Sequence, residues 1–324
     1  MCTAITYKTK NFYFGRTLDL EYSYSEEVVI MPKNFPFPLR HAKTDKRRYA
    51  IIGTAFVPDT LPLYYDAVNE AGLGMAGLNF PENAKYNKVI KSKRNIAQFE
   101  LIPFILGNCA DTDEAVKLLR KINITETSYS PELPLADLHW IIADKNKCVT
   151  VECVADGVKI YDNPAGVLTN NPPFDMQMYN LNNYINLSPE QPENTFSSKL
   201  ELKNYTKGLG AVGLPGDLSS QSRFVRAVFT KLNSVSGKSE EQSVNQFFHI
   251  LGSVSQPRGS NRLDGDKCEI TVYTSCCNAS NGVYYYTTYG NHQINSVDIR
   301  KVNLKTDELY RYPHLDKESI NKLN

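Results

Sequence analysis

The chain has 324 residues, 41% hydrophobic and 22% charged, with 36 lysines and arginines against 35 acidic residues and a formal net charge of +1. This balance excludes a protein that grips nucleic acid through a basic face or draws a partner in by long-range charge. No stretch approaches the roughly 20 apolar residues of a membrane span, and the opening Met1-Cys2-Thr3-Ala4-Ile5 has no basic-then-apolar leader pattern, so the expected location is the cytoplasm.

In chain order, the first third reads as strands. Residues 3–7 and 11–16 are short runs rich in β-branched and aromatic residues, joined by a polar pair. Residues 27–31, 49–56, 63–67 and 72–79 continue the pattern. Residues 96–106 have a helical rhythm interrupted by Pro103. Asp111 followed by Glu114 resembles a capping box ahead of Ala115, Val116, Leu118 and Leu119. A second strand block covers 138–143, 149–153, 158–161 and 167–169. Two helices follow, over 220–232 and from Ser239, where Gln242 stands three residues on and Val244, Phe247, Phe248 and Leu251 share a face. Strands at 269–275 and 282–288 close the chain.

The order strands, helices, strands, helices, strands lacks the βαβα alternation of a doubly wound sheet. Two antiparallel sheets packed face to face with helices outside fit it. The basic runs 40–48 and 88–94 read as solvated loops, and no repeat, linker or domain boundary is visible.

The seven cysteines are odd in number and irregularly spaced, without a C-x-x-C pattern, which argues against a disulfide framework and a structural zinc site. The five histidines, His41, His139, His249, His292 and His314, have no ligand spacing.

Cys2 carries the chemistry. Initiator methionine is trimmed efficiently before a small residue, which would place a thiol and a free α-amine on one carbon. The amine, with an ordinary pKa of ~7.7–8.0, is then base for a thiol of ~8.5. By position alone Cys2 is merely a small second residue, but its context adds weight. A hairpin of 3–7 with 11–16 brings Gly15-Arg16-Thr17-Leu18-Asp19 beside the terminus. An arginine there favours the thiolate, and an aspartate can orient the amine. Without Cys2, Arg16 and Asp19 read as a surface ion pair. Asn79 and Asn170 follow predicted strands, as turn residues do, but also where donors to an oxyanion are needed. Arg223 opens a predicted helix, where its charge opposes the helix dipole, so it has another task.

These residues fall in a recognisable set. Met1-Cys2-Thr3, Tyr13-Phe14-Gly15-Arg16-Thr17-Leu18-Asp19, Asn69-Glu70-Ala71-Gly72-Leu73-Gly74-Met75-Ala76-Gly77-Leu78-Asn79-Phe80, Leu138-His139-Trp140, Gly166-Val167-Leu168-Thr169-Asn170-Asn171-Pro172, Gly213-Leu214-Pro215-Gly216-Asp217 and Ser222-Arg223-Phe224 occur in this order. End to end, the chain resembles the choloylglycine hydrolase family of conjugated bile salt hydrolases and penicillin V acylases.

The resemblance implies an α+β, four-layer αββα N-terminal-nucleophile fold as one domain over residues 2–324, with no cofactor and assembly as a homotetramer. It implies Cys2 as nucleophile and, through its α-amine, base. Arg16 and Asp19 position and activate it. Asn79, through its backbone N–H, and Asn170, through its side-chain amide, form the oxyanion hole. Arg223 is the remaining polar residue. Asn79 favours the bile salt branch, where penicillin V acylases often carry tyrosine. By family position Leu18, Tyr22, Tyr65 and Leu133 contact the steroid, with 54–61, 128–136 and 256–269 as cleft-bordering loops. Thr17 replaces the usual asparagine, so Thr17→Asn is expected to raise turnover modestly. Pro58 stands where relatives can carry an aromatic residue.

The expected substrates are glycine- or taurine-conjugated bile acids. The alternatives are a penicillin V acylase or other N-acyl amide acylase, a glutamine amidotransferase domain, which would need an attached synthase domain, and a non-enzymatic bile acid carrier in which Cys2 is idle.

Overall fold

The structure, a computed structural model, describes residues 1–43 and 47–324. The centre of the basic run 40–48 therefore lies outside the described residues.

One sheet has six strands in the order β12 (Val167–Leu168), β1 (Cys2–Lys8), β2 (Phe12–Leu20), β13 (Ile270–Asn278), β14 (Val283–Thr288) and β15 (Asn291–Asp298). The other has eight: β11 (Gly157–Asp162), β10 (Cys148–Val154), β9 (Leu138–Ala143), β6 (Gly74–Asn79), β5 (Leu63–Asn69), β4 (Ile51–Phe56), β3 (Glu27–Met31) and β16 (Tyr310–Pro313). All neighbours in both sheets are antiparallel. A separate parallel pair joins β7 (Arg94–Ala97) to β8 (Ile122–Thr125).

The sheets stack face to face. Ala4 and Phe14 of the first share one core with Ile52, Val68, Ala76 and Ile141 of the second. Gly74 permits their close approach: a Cβ there would lie 2.6 Å from the Phe14 ring. Helices α4 (Ser220–Asn233) and α5 (Glu240–Gly252) cover the outer face of the six-stranded sheet, adding Phe224 and Phe247 to that core. Helices α1 (Leu101–Asn108) and α2 (Thr112–Leu119) cover the other sheet and close a second core around Trp140, Leu101 and Ile105. This is the αββα arrangement. A central strand is covered on both faces, so β2 is buried from Phe12 to Asp19 rather than alternating.

Local signals account for most elements. Ser239 and Gln242 form the expected reciprocal box. At α2 only half forms: Asp111 accepts the Glu114 N–H at 2.8 Å, whereas the Glu114 carboxylate takes the Ala110 N–H at 2.9 Å. The helix expected over 96–106 divides into the end of β7, a 3-10 turn and α1. Pro103 lies in the first turn of α1, where its missing N–H has no partner to lose. A further short helix, α3 (Phe174–Asn180), follows the loop after β12.

Candidate active site

The β1–β2 hairpin builds the site. Its register pairs Cys2 with Leu18, Thr3 with Thr17 and Ala4 with Arg16. Side chains alternate across a strand, so Cys2, Leu18 and Arg16 face the second sheet while Thr3, Thr17 and Asp19 face the helices. Arg16 donates through Nη1 to the carbonyls of Tyr65 and Gly77, on β5 and β6, and through Nε to its neighbour Thr17. On the other face Asp19 accepts hydrogen bonds from Thr17 Oγ1 at 3.1 Å and Thr271 Oγ1 at 2.7 Å.

Arg223 is fully buried and reaches in from α4. Its Nη1 donates to the Cys2 carbonyl at 2.6 Å and Thr3 Oγ1 at 2.7 Å, and its Nη2 donates to Asn170 Oδ1 at 2.8 Å. Asn170 Oδ1 also accepts the Cys2 N–H at 2.9 Å, and Asn170 Nδ2 donates to the Asn79 carbonyl at 2.8 Å. An amide nitrogen carries two hydrogens, so one remains beyond that bond. The six residues predicted for catalysis, Cys2, Arg16, Asp19, Asn79, Asn170 and Arg223, thus converge on the start of β1.

A cavity of ≈ 270 Å³ opens at the Cys2 thiol between the sheets. Leu18, Tyr65 and Leu133 line it as expected, with Leu20, Phe56 and Leu138. Arg16 is the one charged residue in this lining among the described residues. Tyr22 stands apart: it is exposed and does not line the cavity. Its hydroxyl meets that of Tyr24 at 2.9 Å, and Tyr24 is the ring in the wall. Loop 128–136 borders the cavity through Tyr129, Leu133 and Pro134, while Pro58 is not in the lining.

Burial disfavours the Arg16 charge, but Cys2, Tyr273, Asp66 and Asp19 around it prevail, so its pKa is raised and the guanidinium stays charged. Its buried Nη2 has no protein partner among the described residues. Asp66, from the middle of β5, supplies part of that field. It accepts hydrogen bonds from Tyr273 at 2.6 Å, Tyr284 at 2.8 Å and Ser275 at 3.0 Å, while burial still pushes its carboxyl upward. Asp66 lies outside every motif singled out in the sequence. Its signal was an acid inside the otherwise apolar run Tyr64-Tyr65-Asp66-Ala67-Val68.

With Met1 in place, its ammonium meets Glu269 and the Asp19 carbonyl rather than the Asp19 carboxylate. Burial lowers the pKa of this amine. Glu269, at the end of loop 256–269, is a second acid that sequence reasoning did not connect with the terminus. Among the described residues no cluster of His, Cys, Asp and Glu suited to a metal occurs, and no helix is long and apolar enough to cross a membrane.

Two stacked antiparallel sheets between helices, with a cysteine opening a central strand amid amide and guanidinium donors, define an N-terminal-nucleophile hydrolase acting on linear amides. The model of the linear amide C–N hydrolases, choloylglycine hydrolase family, matches residues 2–312, and the chain belongs to that family. It is 53% identical to a bile salt hydrolase/transferase of Lactiplantibacillus plantarum over 97% of both chains. A Clostridium perfringens protein of the same description is 37% identical over 100% of both. A mutant conjugated bile acid hydrolase from Clostridium perfringens superposes with a TM-score of 0.92 at 37% identity, covering 100% of both chains. Penicillin V acylase from Agrobacterium tumefaciens, at TM-score 0.75 and 20% identity over 96% of this chain and 90% of its own, shares the fold.

Proposed function

We propose that the chain hydrolyses the amide bond of glycine- or taurine-conjugated bile salts, through an acyl-enzyme on Cys2 that forms once Met1 has been removed. The observation that carries this reading is the Cys2 thiol at an apolar cavity whose one charged wall residue, among the described residues, is Arg16. A steroid needs an apolar pocket with few polar groups.

In this mechanism the α-amine of Cys2 takes the thiol proton, and the thiolate attacks the amide carbonyl. The Asn79 backbone N–H and the second Asn170 amide hydrogen receive the developing oxyanion. The protonated amine gives its proton to the departing amino acid, and water resolves the thioester. Arg16 holds positive charge beside the thiol. Asp19, tied to Thr17 and Thr271, and Arg223 fix the strand that bears Cys2. Leu18, Tyr65 and Leu133 contact the steroid, with Tyr24 rather than Tyr22. The relatives named hydrolase/transferase support a second outcome on the same thioester, its capture by an amine in place of water.

The protein works in the cytoplasm as a single domain over residues 2–324 and assembles as a homotetramer. The segment after α3 supports assembly: Ile185, Phe196, Tyr205 and Val212 all lie exposed there.

The test is amino-acid release from glycocholate and taurocholate beside cleavage of penicillin V. A higher kcat/KM for the bile salts is expected. Faster cleavage of penicillin V would keep the machinery and overturn the substrate.

A further inference from the structure

The motif Leu138-His139-Trp140 has no task in the mechanism above. His139 lies on β9, fully buried, and does not line the cavity. Its Nδ1 is 3.1 Å from Oε1 of Glu152, on β10 and equally buried, and its Nε2 is 2.8 Å from the Thr169 carbonyl oxygen. Glu152 Oε1 also accepts the Phe174 N–H at 2.9 Å. The imidazole stacks on Phe80 at 4.3 Å, with planes 6° apart.

Both ring nitrogens therefore face acceptors. A neutral imidazole has one N–H, so the group needs one more proton, held by the ring or by Glu152. Without it, a ring lone pair faces either the Thr169 carbonyl or the carboxylate. Such a pair is costly to bury, and apolar side chains of similar volume commonly serve stability as well. Its contacts suggest what it does instead. Thr169 and Phe174 bracket the loop bearing Asn170, and Phe80 follows Asn79 in the chain. The Asn79 carbonyl and Asn170 amide are themselves bonded at 2.8 Å.

We propose that His139 and Glu152 form a buried clamp that sets the spacing of Asn79 and Asn170, the two donors assigned to the oxyanion, and so act as positioning residues for the amide-cleaving step. The inference rests on the oxyanion-hole reading given above. A pure fold-stabilising pair would be replaceable by apolar residues without loss of turnover; a clamp would not.

The test is the double variant His139→Phe with Glu152→Leu, which removes both polar partners together and keeps an aromatic ring against Phe80. Glu152→Gln, nearly isosteric, is a second variant should the first fail to fold. Melting temperature, kcat, KM and the rate of Cys2 alkylation by iodoacetamide are measured against wild type, on whichever of glycocholate and penicillin V the wild type cleaves faster. A clamp predicts kcat lower by about 30-fold or more, KM within about threefold and alkylation within about twofold, because only the transition-state contact is lost. A folded variant with near-wild-type kcat overturns the clamp. So does a kcat loss matched by an equal loss of alkylation, which would mean general damage to the site. A wild type that prefers penicillin V defeats only the substrate reading; one that cleaves neither defeats the functional reading and this inference with it.

Discussion

The Cys2 backbone nitrogen donates to Asn170 Oδ1 at 2.9 Å across 168 residues of sequence, and the same oxygen accepts Arg223 Nη2. One amide oxygen thus joins the start of β1, the loop after β12 and the first turns of α4. In the proposed enzyme it would hold the α-amine once Met1 is gone, leaving the amide nitrogen on the side of Asn79.

Arg223→Lys tests this junction. A lysine keeps the charge but cannot reproduce a planar fork that reaches Cys2, Thr3 and Asn170 together. The expected outcome is a kcat about 10²-fold lower, of the size that follows loss of one oxyanion-hole donor, with a lower melting temperature. Near-wild-type kinetics would remove Arg223 from the site.

Thr17 is fully buried, and its hydroxyl accepts the Thr3 N–H at 3.1 Å while donating to Asp19 Oδ2 at 3.1 Å. The shorter side chain therefore already bridges the hairpin to Asp19. Thr17→Val should cost about 1–3 kcal/mol by stranding buried partners and should lower turnover. Thr17→Asn, expected from sequence to raise turnover, meets a filled site and should leave it unchanged or lower. Chemical denaturation and initial rates check both.

His314 stacks on Tyr286 at a centroid distance of 4.4 Å, and burial lowers its pKa from 6.5 to about 4. The fold favours the neutral ring, so its contribution is complete above pH 6.5 and is lost as pH falls toward 4. The amount is up to roughly 3 kcal/mol. His314→Phe, which keeps the stacking, should flatten the melting temperature across that window. An unchanged slope would contradict the assignment.

Burial pushes the Cys109, Cys148 and Cys153 thiols up to about 12, and those of Cys276 and Cys277 well above their ordinary value. Thiolates are the reactive form. Iodoacetamide at mildly alkaline pH should label native protein at Cys2, which lines the open cavity, and at the partly exposed Cys268, and Cys2→Ala should lose one label by peptide mass. Labelling of Cys276 or Cys277 in folded protein would contradict this.

The hairpin was legible because its apolar runs are short, β-branched and separated by polar residues, and its register alone brings Arg16 and Asp19 to Cys2. Asp66 and Glu269 were not, because which acids meet Arg16 and the terminus depends on how the sheets stack and where a distant loop returns. The end of β7, Ile96–Ala97, lies inside the expected helix because a short apolar run suits either state. β16 was missed because its four residues pair with β3 from the far end of the chain, and nothing local to Tyr310–Pro313 marks that partner. That Tyr24 lines the cavity and Tyr22 does not has no sequence signal either: on an irregular segment, side-chain direction has no period to follow.

In the proposed enzyme the Cys2 thiol, beside its own α-amine, cleaves the amide. The most direct test is glycine release from glycocholate by wild-type protein, shown by intact mass to lack Met1, beside Cys2→Ala. Steady release by the wild type and none above background by the variant are expected. Equal release by both, or no release by correctly trimmed wild type, would contradict this role for Cys2.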